Sequence, residues 1–578
     1  MAQSGSGVHV VTTERTYKGK TYRTHLLRRS YREAGQVKKE TLANITCLGD
    51  EIVQLIRHAL QGQQVGLAEE VFEVVRSWHH GHVQAVLEAM QRLGFERLLG
   101  SRACRERRLV MGLVAARIIE PQSKLATARG WSDTTLAQQL EVEEVNENEL
   151  YAALDWLGKR QSRIERRLAD RHLAAGELVL YDLSSSYFEG RCCPLAAYGY
   201  NRDGKRGKLQ VNYGVLANAA GCPVAVAVVS GEVGDPTTLL PQVQVVRERF
   251  DIDRVVLVGD RGMITQVQID TLRTLEGLEW ITALRSQGIR KLMREGEITP
   301  EHFEHQALFE LLHPDFPGER LVACRNAELA RHRTEKRQAL LQATQAELEK
   351  VQRRVEQERL QGAKHIGLRV GKVINRYKVG KHFDLDIQEK RFDFQINESR
   401  VAAEAALDGI YVVRTSVSPA LMAAAEVVRS YKRLGQLERA FRSLKTQDLK
   451  VRPIFHRLEQ RVRAHIFLCL LAYYVQWHMM EVWRPLLFSD EDQEAKASRD
   501  PVAPAERSAA ARHKVASKHL SDGSPVHSFR TLLQHLSTRV RNTCRSLSAG
   551  ADSPTFTLDT LPDPIQRRAY ELLKTIQV

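Results

Sequence analysis

Residues 178–184 read LVLYDLS, and this stretch decides the fold of the chain. A short apolar run of this kind is typical of a buried central strand. One acid, Asp182, interrupts the run, although burying a charged carboxylate is costly unless it is paired or binds a metal ion. The stretch therefore predicts a buried central strand and makes Asp182 a candidate for a chemical role, although an acid that caps a turn would fit as well.

The segments after this strand predict a mixed sheet. The elements expected next are strands over residues 209–216 and 223–229, a helix from Asp235, a strand over residues 254–259 that ends at Asp260, a helix near residues 265–275 and a strand over residues 280–284. This is the element order of the α/β ribonuclease H-like fold, a mixed sheet with helices on both faces. Its first and fourth strands are neighbours, so we expect Asp182 and Asp260 side by side at one sheet edge.

A third acid lies on a predicted helix in residues 430–445, which read SYKRLGQLERAFRSLK. Tyr431, Glu438 and Lys445 are spaced seven residues apart, so one straight helix would carry all three on one face with about 20° of drift per step. A separate apolar face would fix the helix against a core, and it contains Leu437, Phe441 and Leu444. Taken alone, the stretch also fits an ordinary amphipathic helix.

The balance of charges favours a polyanionic partner. The 578 residues include 85 Lys and Arg against 70 Asp and Glu, a net charge of +15. DNA or RNA is the commonest partner of such a chain, although a basic soluble protein without one has the same composition.

A membrane or metal–thiolate function is not indicated. No apolar run approaches the length of a membrane span, and the first seven residues lack the apolar stretch of a signal peptide. The eight cysteines show no CxxC pair and no zinc-ligand spacing, and adjacent Cys192 and Cys193 are only a weak indication of a metal site. Reduced thiols in a cytosolic protein are the simpler interpretation.

The rest of the chain reads as follows. Residues 8–46 predict two basic β-hairpins, either a DNA-contacting ribbon or a solvated edge. Asp50 is expected to cap the first helix of a helical region to residue 173, where residues 134–140 and 149–160 loosely fit helix-turn-helix but better fit a plain bundle. Residues 327–361 predict a long helix, and residues 373–387, 391–396 and 409–415 predict strands of an inserted subdomain. An apolar helix is expected over residues 462–477, and helices over residues 529–547 and 564–576.

The predicted domain boundaries follow from these patterns. They are a basic hairpin region at residues 1–46, a helical DNA-binding region at 47–176, the first part of the core at 177–284, an insertion at 285–417, the catalytic and final core helices at 418–488, a flexible linker at 489–524 and a helical tail at 525–578.

The three acids and their setting resemble the DDE transposases of bacterial insertion sequences. The similarity is to the group with a β-rich insertion and a Tyr-Arg-Glu-Lys signature on the catalytic helix. It is specific at residues 181–184 (YDLS), 259–263 (GDRGM) and 431–445, and residues 234–239 (GDPTTL) are also similar. One departure is that the signature arginine falls at Leu434, with Arg433 next to it and Arg442 one turn after Glu438.

The resemblance implies a chemistry and partners. Asp182, Asp260 and Glu438 would be catalytic and would hold Mg²⁺, with Mn²⁺ as a substitute, and Tyr431, Arg433, Arg442 and Lys445 would contact DNA. The partners would be double-stranded transposon ends and target DNA, with a homodimer in the synaptic complex. The expected location is the bacterial cytoplasm at the nucleoid, without a membrane.

The function implied is a transposase that binds the ends of its own element, cuts DNA and joins it to a target. A site-specific nuclease on the same core, without strand transfer, is a related alternative. A DNA-binding repressor or domesticated protein with an inactive ribonuclease H-like core is an alternative of another class.

Overall fold

The computed structural model describes residues 7–33, 35–62, 72–190, 192–205, 207–504, 506–547 and 554–578. The chain divides into a smaller unit, Met1–Gly81 with Ser537–Pro562, and a larger unit, His82–Leu536 with Asp563–Val578.

The strands of the described residues are β1 (Gly7–Tyr17), β2 (Lys20–Glu33), β3 (Gln36–Asn44), β4 (Phe72–His79), β5 (Leu178–Tyr187), β6 (Gln210–Asn218), β7 (Pro223–Ser230), β8 (Val255–Val258), β9 (Leu278–Ala283), β10 (Leu308–Leu311), β11 (Arg320–Arg325), β12 (Phe383–Ile387), β13 (Phe392–Ile396), β14 (Ile410–Thr415), β15 (Val540–Ser546) and β16 (Thr555–Asp559).

The α-helices of the described residues are α1 (Gly49–Leu60), α2 (Gly81–Arg92), α3 (Phe95–Leu99), α4 (Arg105–Ile119), α5 (Lys124–Arg129), α6 (Leu136–Gln139), α7 (Glu147–Gly158), α8 (Gln161–His172), α9 (Asp235–Gln244), α10 (Gln266–Leu272), α11 (Ser286–Arg294), α12 (Ala327–Glu356), α13 (Ala363–Tyr377), α14 (Glu398–Ala405), α15 (Ala424–Lys432), α16 (Leu434–Arg442), α17 (Glu459–Val482), α18 (Gln493–Ser498), α19 (Ala509–Ser517), α20 (Phe529–Ser537) and α21 (Pro564–Leu573).

The smaller unit begins with the two predicted hairpins, which share their middle strand. β2 pairs antiparallel with both β1 and β3. Gly19 (φ 74°) and Gly35 (φ 80°) lie at the two turns, in left-handed backbone that glycine adopts without a Cβ clash. The hairpin prediction is confirmed.

Helix α1 is tied to this sheet through a buried histidine. His25 Nδ1 lies 2.8 Å from Thr12 Oγ1, and His25 Nε2 lies 2.8 Å from Asp50 Oδ1. The prediction that Asp50 caps the helix is wrong, because α1 begins at Gly49 without a side-chain cap and the Asp50 carboxylate binds His25 instead.

A second sheet of the smaller unit joins distant parts of the chain. β15 pairs with β16 on one side and with β4 on the other. The predictions of helix throughout residues 50–173 and 529–547 are therefore wrong at β4 and β15. Ser77 Oγ donates a hydrogen bond to Asn542 Oδ1 across 465 residues, a pairing that a local pattern cannot reveal.

The larger unit contains an eight-stranded sheet of order β10-β11-β14-β9-β8-β5-β6-β7. β8 is parallel to both β5 and β9, and the other neighbouring strands are antiparallel. The predicted element order is observed as β5, β6, β7, α9, β8, α10 and β9. The expectation that its first and fourth strands are neighbours is confirmed, since β5 pairs with β8.

Helix α17 is the central core helix of the larger unit. It is buried on nearly all sides between Val462 and Met479, and it packs on α4, α7 and β7. A helix that is apolar all round must be enclosed. The helices of residues 105–172 thus share one hydrophobic core with the sheet, and they form a bundle around α17.

The predicted insertion has two parts. β10, β11 and β14 extend the main sheet beyond β9. The long helix α12, together with α13 and the β12–β13 hairpin, has its own small core, which includes Leu348, Ile366 and Phe392.

The strand predicted over residues 373–387 is wrong in its first half. Residues 363–377 form α13, whose buried Ile366 and Val370 are four apart, and only β12 is extended. The β-branched residues Val373 and Ile374 favoured a strand, but the helical period of the whole segment decides its structure.

The segment predicted as a flexible linker contains α18 and α19. Ser508 caps α19, and its hydroxyl also donates to Asp490 Oδ1 at 2.6 Å. In the described residues no helix is both long and apolar enough to cross a membrane.

A buried ion pair stabilises the main sheet. Glu319 is 2% exposed and accepts two hydrogen bonds of 2.6 Å from Arg414 on β14 and one of 2.7 Å from Arg273. We expect Glu319→Gln to lower the free energy of unfolding by about 3–5 kcal/mol, because it leaves buried cationic charge uncompensated. Chemical denaturation followed by tryptophan fluorescence measures the change.

The control is Asp270→Asn, which removes an exposed partner of the same Arg273 at 3.3 Å. Because exposed pairs contribute little, it should cost at most about 1 kcal/mol. Equal losses for the two variants would contradict a structural role for the buried pair.

Candidate active site

Two carboxylates lie at one edge of the main sheet, as the sequence predicts. β5 and β8 run parallel with Leu180 opposite Val258, and Asp182 and Asp260 each follow two residues later. Asp260 therefore follows the end of β8, and Asp182 lies within β5 at the same level, just beyond the point where the pairing of the two strands ends. This edge is the start of the candidate site.

Asp260 is held by the turn after β8. Its Oδ1 accepts hydrogen bonds from the backbone N–H of Gly262 at 2.9 Å and of Met263 at 2.8 Å. Within the described residues its second oxygen, Oδ2, has no hydrogen-bond partner. The carboxylate is thus both oriented by its own loop and able to bind a further group.

Asp182 is half-buried, and its charge is disfavoured. Burial raises the pKa of its carboxyl to about 7, aided by the negative charges of Asp260 and Asp235 and opposed by the Leu183 N–H and by Arg202. The Leu183 N–H donates to Asp182 Oδ1 at 2.8 Å. Near neutral pH this side chain keeps a proton part of the time, and a cation at the edge would favour its ionised form.

Glu438 is the exposed acid of an otherwise anchored helix. On α16, Leu437, Ala440 and Phe441 are buried, and the Phe441 ring lies 6.0 Å from the Tyr213 ring of β6. Glu438 itself faces solvent. In the part of the chain that the structure describes, Glu438 forms no ion pair with Arg442, one turn further along the helix.

The charges of all three acids act on the hydroxyl of Tyr431. Burial raises the pKa of Tyr431 to about 12, and the charges of Asp260, Asp182 and Glu438 all act in the same direction, while Arg261 opposes them. One side chain on α15 therefore lies within the electrostatic reach of all three carboxylates.

The stretch that carries these residues is not one straight helix. α15 ends at Lys432, α16 runs from Leu434 to Arg442, and a π-helical turn, Ser443–Gln447, follows. The prediction of one continuous α-helix face is wrong at Lys445. A π-helical turn bonds i to i+5, so side chains after it rotate away from the α-helical position.

Lys445 and Arg452 share a buried acid that the sequence did not suggest. Lys445 Nζ lies 2.9 Å and Arg452 Nη1 2.5 Å from Oδ1 of Asp203, whose side chain is 2% exposed. The backbone N–H of Tyr187 donates to its Oδ2 at 3.0 Å. The only local signal was the turn composition NRDG at residues 201–204, which by itself indicates a loop and no partner.

Arg202 is the second residue that sequence reasoning missed. It forms an ion pair with Asp235, the first residue of α9, and its own N–H donates to Ser185 Oγ at 3.2 Å. Its positive charge also lowers the pKa of Asp182. The stretch at residues 234–239, which is similar to the same family, therefore has a structural role, because its Asp235 binds Arg202 near the acids.

Arg433 and Arg442 are the other predicted DNA contacts. Arg433 donates to Glu426 Oε1 at 3.1 Å, and Arg442 is exposed. Leu434 packs against the main core, so no cation stands at the position of the signature arginine.

The three carboxylates are not gathered around a single point. Among the described residues, the group of ligand atoms close enough to share one ion is His172, Cys222 and His478, whose atoms lie within 4.8 Å of one another. Imidazole and thiolate suit softer metals than Mg²⁺, and this group is packed in the core. The carboxylates instead offer hard oxygen ligands spread over a wider site.

The smaller unit carries a second candidate surface. Cross-strand partners share a face of a sheet, and Arg15 faces Tyr22 as Tyr17 faces Lys20. The alternation along the strands extends this set, called the basic face below, to Arg15, Lys20, Arg28, Arg32 and Lys39 with Tyr17 and Tyr22. No Asp or Glu of the described residues of β1–β3 lies on it.

The opposite face of that sheet is different in charge. It carries Glu14, Glu33 and Glu40 and is the face that binds Asp50 of α1 through His25. Two of its cations are paired, Arg23 at 2.8 Å from Glu14 and Lys38 at 2.5 Å from Glu33, and Arg29 lies opposite Glu40. The segregation of unpaired cations to one face is the pattern of a polyanion-binding surface.

Family comparisons agree with this picture. The model described as "Transposase DDE domain" matches residues 183–475, about half of the chain. The model described as "IS1634 family transposase, N-terminal domain" matches residues 10–71. No curated protein matches the sequence.

Two solved structures have partial likeness. A piggyBac transposase synaptic complex with hairpin DNA is 9% identical, with 78% of this chain and 77% of that chain covered and a TM-score of 0.35. A Mos1 transposase paired-end complex with the left transposon end is 14% identical, with 33% and 62% covered and a TM-score of 0.14.

Proposed function

Because the chain belongs to the DDE transposase family, we propose that Asp182, Asp260 and Glu438 are the catalytic carboxylates of this DNA transposase. The observation that carries the proposal is that Asp182 and Asp260 each lie two residues beyond the last paired residues of the parallel strands β5 and β8, while Glu438 lies on α16, which packs on β5. We further propose that the enzyme binds the ends of its own insertion sequence, cuts there and joins the cut strand to target DNA.

The catalytic core is proposed to be ribonuclease H-like. The order β7-β6-β5-β8-β9, with β5, β6 and β7 antiparallel and β8 and β9 parallel to β5, supports it. The proposed core is residues 177–284 with 418–488, and residues 285–417 are the insertion.

Transposases with this domain use divalent metal ions, and the donor set here fits hard cations. Asp182, Asp260 and Glu438 would hold Mg²⁺, with Mn²⁺ as a substitute. When bound, two such ions neutralise charge on the attacking and leaving oxygens of a phosphodiester. Because the carboxylate oxygens are spread too widely to surround one ion, they are consistent with a site for two ions.

The residues around the acids would position DNA. Tyr431, kept protonated by its neighbours, would donate its O–H to a phosphate oxygen, and Lys445, oriented by Asp203, would hold a phosphate as a point charge. Arg202 is proposed to supply the cation that Leu434 lacks. Arg433 and Arg442 remain proposed contacts at the rim.

End recognition is proposed for the smaller unit, whose basic face lies within the matched N-terminal domain. A homodimer would pair two ends in the synaptic complex, and the enzyme would act at the nucleoid in the cytoplasm. No observation favours a repressor with an inactive core.

The test uses the purified full chain with linear DNA that carries both ends of its element and a supercoiled target plasmid. We expect nicking and joined products with Mg²⁺ or Mn²⁺, and neither with EDTA. Cutting without joined products would indicate the nuclease alternative. Binding with no cutting in any divalent metal would contradict the catalytic proposal.

A further inference from the structure

A cavity of about 530 Å³ lies in the larger unit, and one of its lining residues, Arg452, shares Asp203 with Lys445. Its walls come from residues 117–124 at the end of α4 and the start of α5, from Tyr151 of α7, and from residues 450–465.

The lining of this cavity is strongly cationic. Its charged and titratable members are Arg117, Lys124, Lys450, Arg452, Arg457, Arg461, His456 and His465. None of the lining residues, all of which the structure describes, is an Asp or Glu. Arg461 forms an ion pair with Asp155 at 2.9 Å, and Arg452 forms one with Asp203 at 2.5 Å. Neither of these acids lines the cavity. The remaining cations face the cavity without an acidic partner in the described chain.

Among these cations, Lys124 gives the clearest indication of a missing counter-charge. It is 3% exposed, and its Nζ lies 2.9 Å from His465 Nδ1. His465 Nε2 lies 3.1 Å from the carbonyl of Val451, which can only accept, so Nδ1 is the unprotonated nitrogen and accepts from Lys124. A buried ammonium whose partner is a neutral ring lacks compensation for its charge.

The surroundings of Lys124 oppose its charge. Burial and the positive charge of Arg117 lower the pKa of Lys124 to about 7. The same cations and burial lower the pKa of His456 to about 3. An anion in the cavity would supply the missing counter-charge.

The cavity also has aromatic walls and a link to the site. Phe455 is 61% exposed, whereas the Tyr151 ring is in contact with the Arg461 guanidinium, 4.8 Å from the ring centroid, and lies edge to face with His456 at 5.9 Å. Arg452 lines the cavity and shares Asp203 with Lys445, which belongs to the same stretch, residues 430–445, as Glu438. Cations for a phosphate and aromatic faces for a base are the combination that binds single-stranded nucleic acid.

We propose that this cavity binds one unpaired nucleotide of the DNA strand, with its phosphate against Lys124, Arg117 and Arg457 and its base against Phe455. The inference rests on the proposed function, since it places the nucleotide on a strand that continues to the acids. Its cavity residues are distinct from the carboxylates and from the basic face.

The test measures binding of the full chain to end DNA with a frayed, single-stranded terminus, by fluorescence anisotropy without metal at several salt concentrations. Lys124→Met should lower the salt slope by about 0.7, the contribution of one phosphate contact on a single strand. Phe455→Ala should weaken binding about tenfold, the size of one stacked base. Arg369→Ala, an exposed cation on α13, is the matched control and should change neither value.

Because Lys124 is buried, Arg457→Ala provides a second variant on an exposed lining cation. The thermal midpoint of this variant should equal that of wild type, and its salt slope should also fall by about 0.7. Unchanged slopes and affinities for all three cavity variants, with wild-type binding intact, would overturn this inference alone. A wild-type chain that binds no end DNA would overturn it together with the proposed function.

A measurement with inorganic phosphate distinguishes a cavity that binds a DNA phosphate from one that binds free anions. At matched ionic strength, phosphate in place of chloride should raise the thermal midpoint of wild type more than that of Lys124→Met. The same phosphate effect without any loss of DNA binding in the variants would mean that the cavity takes free anions, and would contradict the assignment to DNA.

Discussion

Asp182→Asn, Asp260→Asn and Glu438→Gln are each expected to reduce metal-dependent DNA cleavage by at least about 10³-fold. The reason is that the three carboxylates are proposed to hold the cations on which the phosphodiester chemistry depends, so the loss of any one charge would remove a ligand. Asp182 and Asp260 come from neighbouring parallel strands, and Glu438 comes from α16. Single-turnover cleavage of end DNA at saturating Mg²⁺ measures the effect.

DNA binding is the control readout for these variants. Asparagine and glutamine keep the size of the side chain, so binding in metal-free buffer should stay close to wild type. Matched variants are Asp270→Asn on α10 and Glu426→Gln on α15, which remove the same charge outside the carboxylate set and should cleave normally. Near wild-type cleavage by Asp182→Asn, Asp260→Asn or Glu438→Gln would exclude that residue from the site.

The second large effect is expected on the basic face. The triple variant Arg15→Ala, Lys20→Ala, Lys39→Ala should bind end DNA about 10²–10³-fold more weakly at 0.1 M salt, because three phosphate contacts at about 0.9 each lower the salt slope by about 2.7. All three side chains are exposed on β1, β2 and β3 and have no acid on their face. Anisotropy titrations over a range of salt concentrations give the slope.

The control for this variant lies on the other face of the same sheet. Arg29→Ala, Lys38→Ala also removes exposed charge from β2 and β3, but next to Glu40 and Glu33. It should leave the slope within one contact of wild type. An equal loss for both variants would show that the net charge of the unit, and not the basic face, governs binding.

Local pattern was enough to predict much of the catalytic core. The apolar run around Asp182, the strand before Asp260 and the amphipathic period around Glu438 are each determined by neighbours within about ten residues. The chain order of strands and helices then implied that β5 and β8 are adjacent. Asp182 and Asp260 could be paired from sequence because both follow the paired ends of neighbouring strands.

Other assignments failed because a local preference was overridden. Residues 363–377 contain β-branched residues that favour a strand, yet burial of one helical face against α12 decides for α13. Residues 443–447 continue a helical pattern, yet they form a π-helical turn, and Lys445 meets Asp203. Packing against the rest of the unit outweighs propensities worth only fractions of a kcal/mol per residue.

Sequence alone therefore determined the core elements from β5 to β9 and their order, and it predicted the three acids, since these depend on short-range periodicity and on the chemistry of single residues. Only the tertiary structure decided that β4 pairs with β15, that Asp203 binds Lys445 and Arg452, and that Lys124 lies against His465 without an acid. Each of these is a contact between residues far apart in the chain. Such contacts follow from how the whole core packs, and no window of neighbouring residues contains that information.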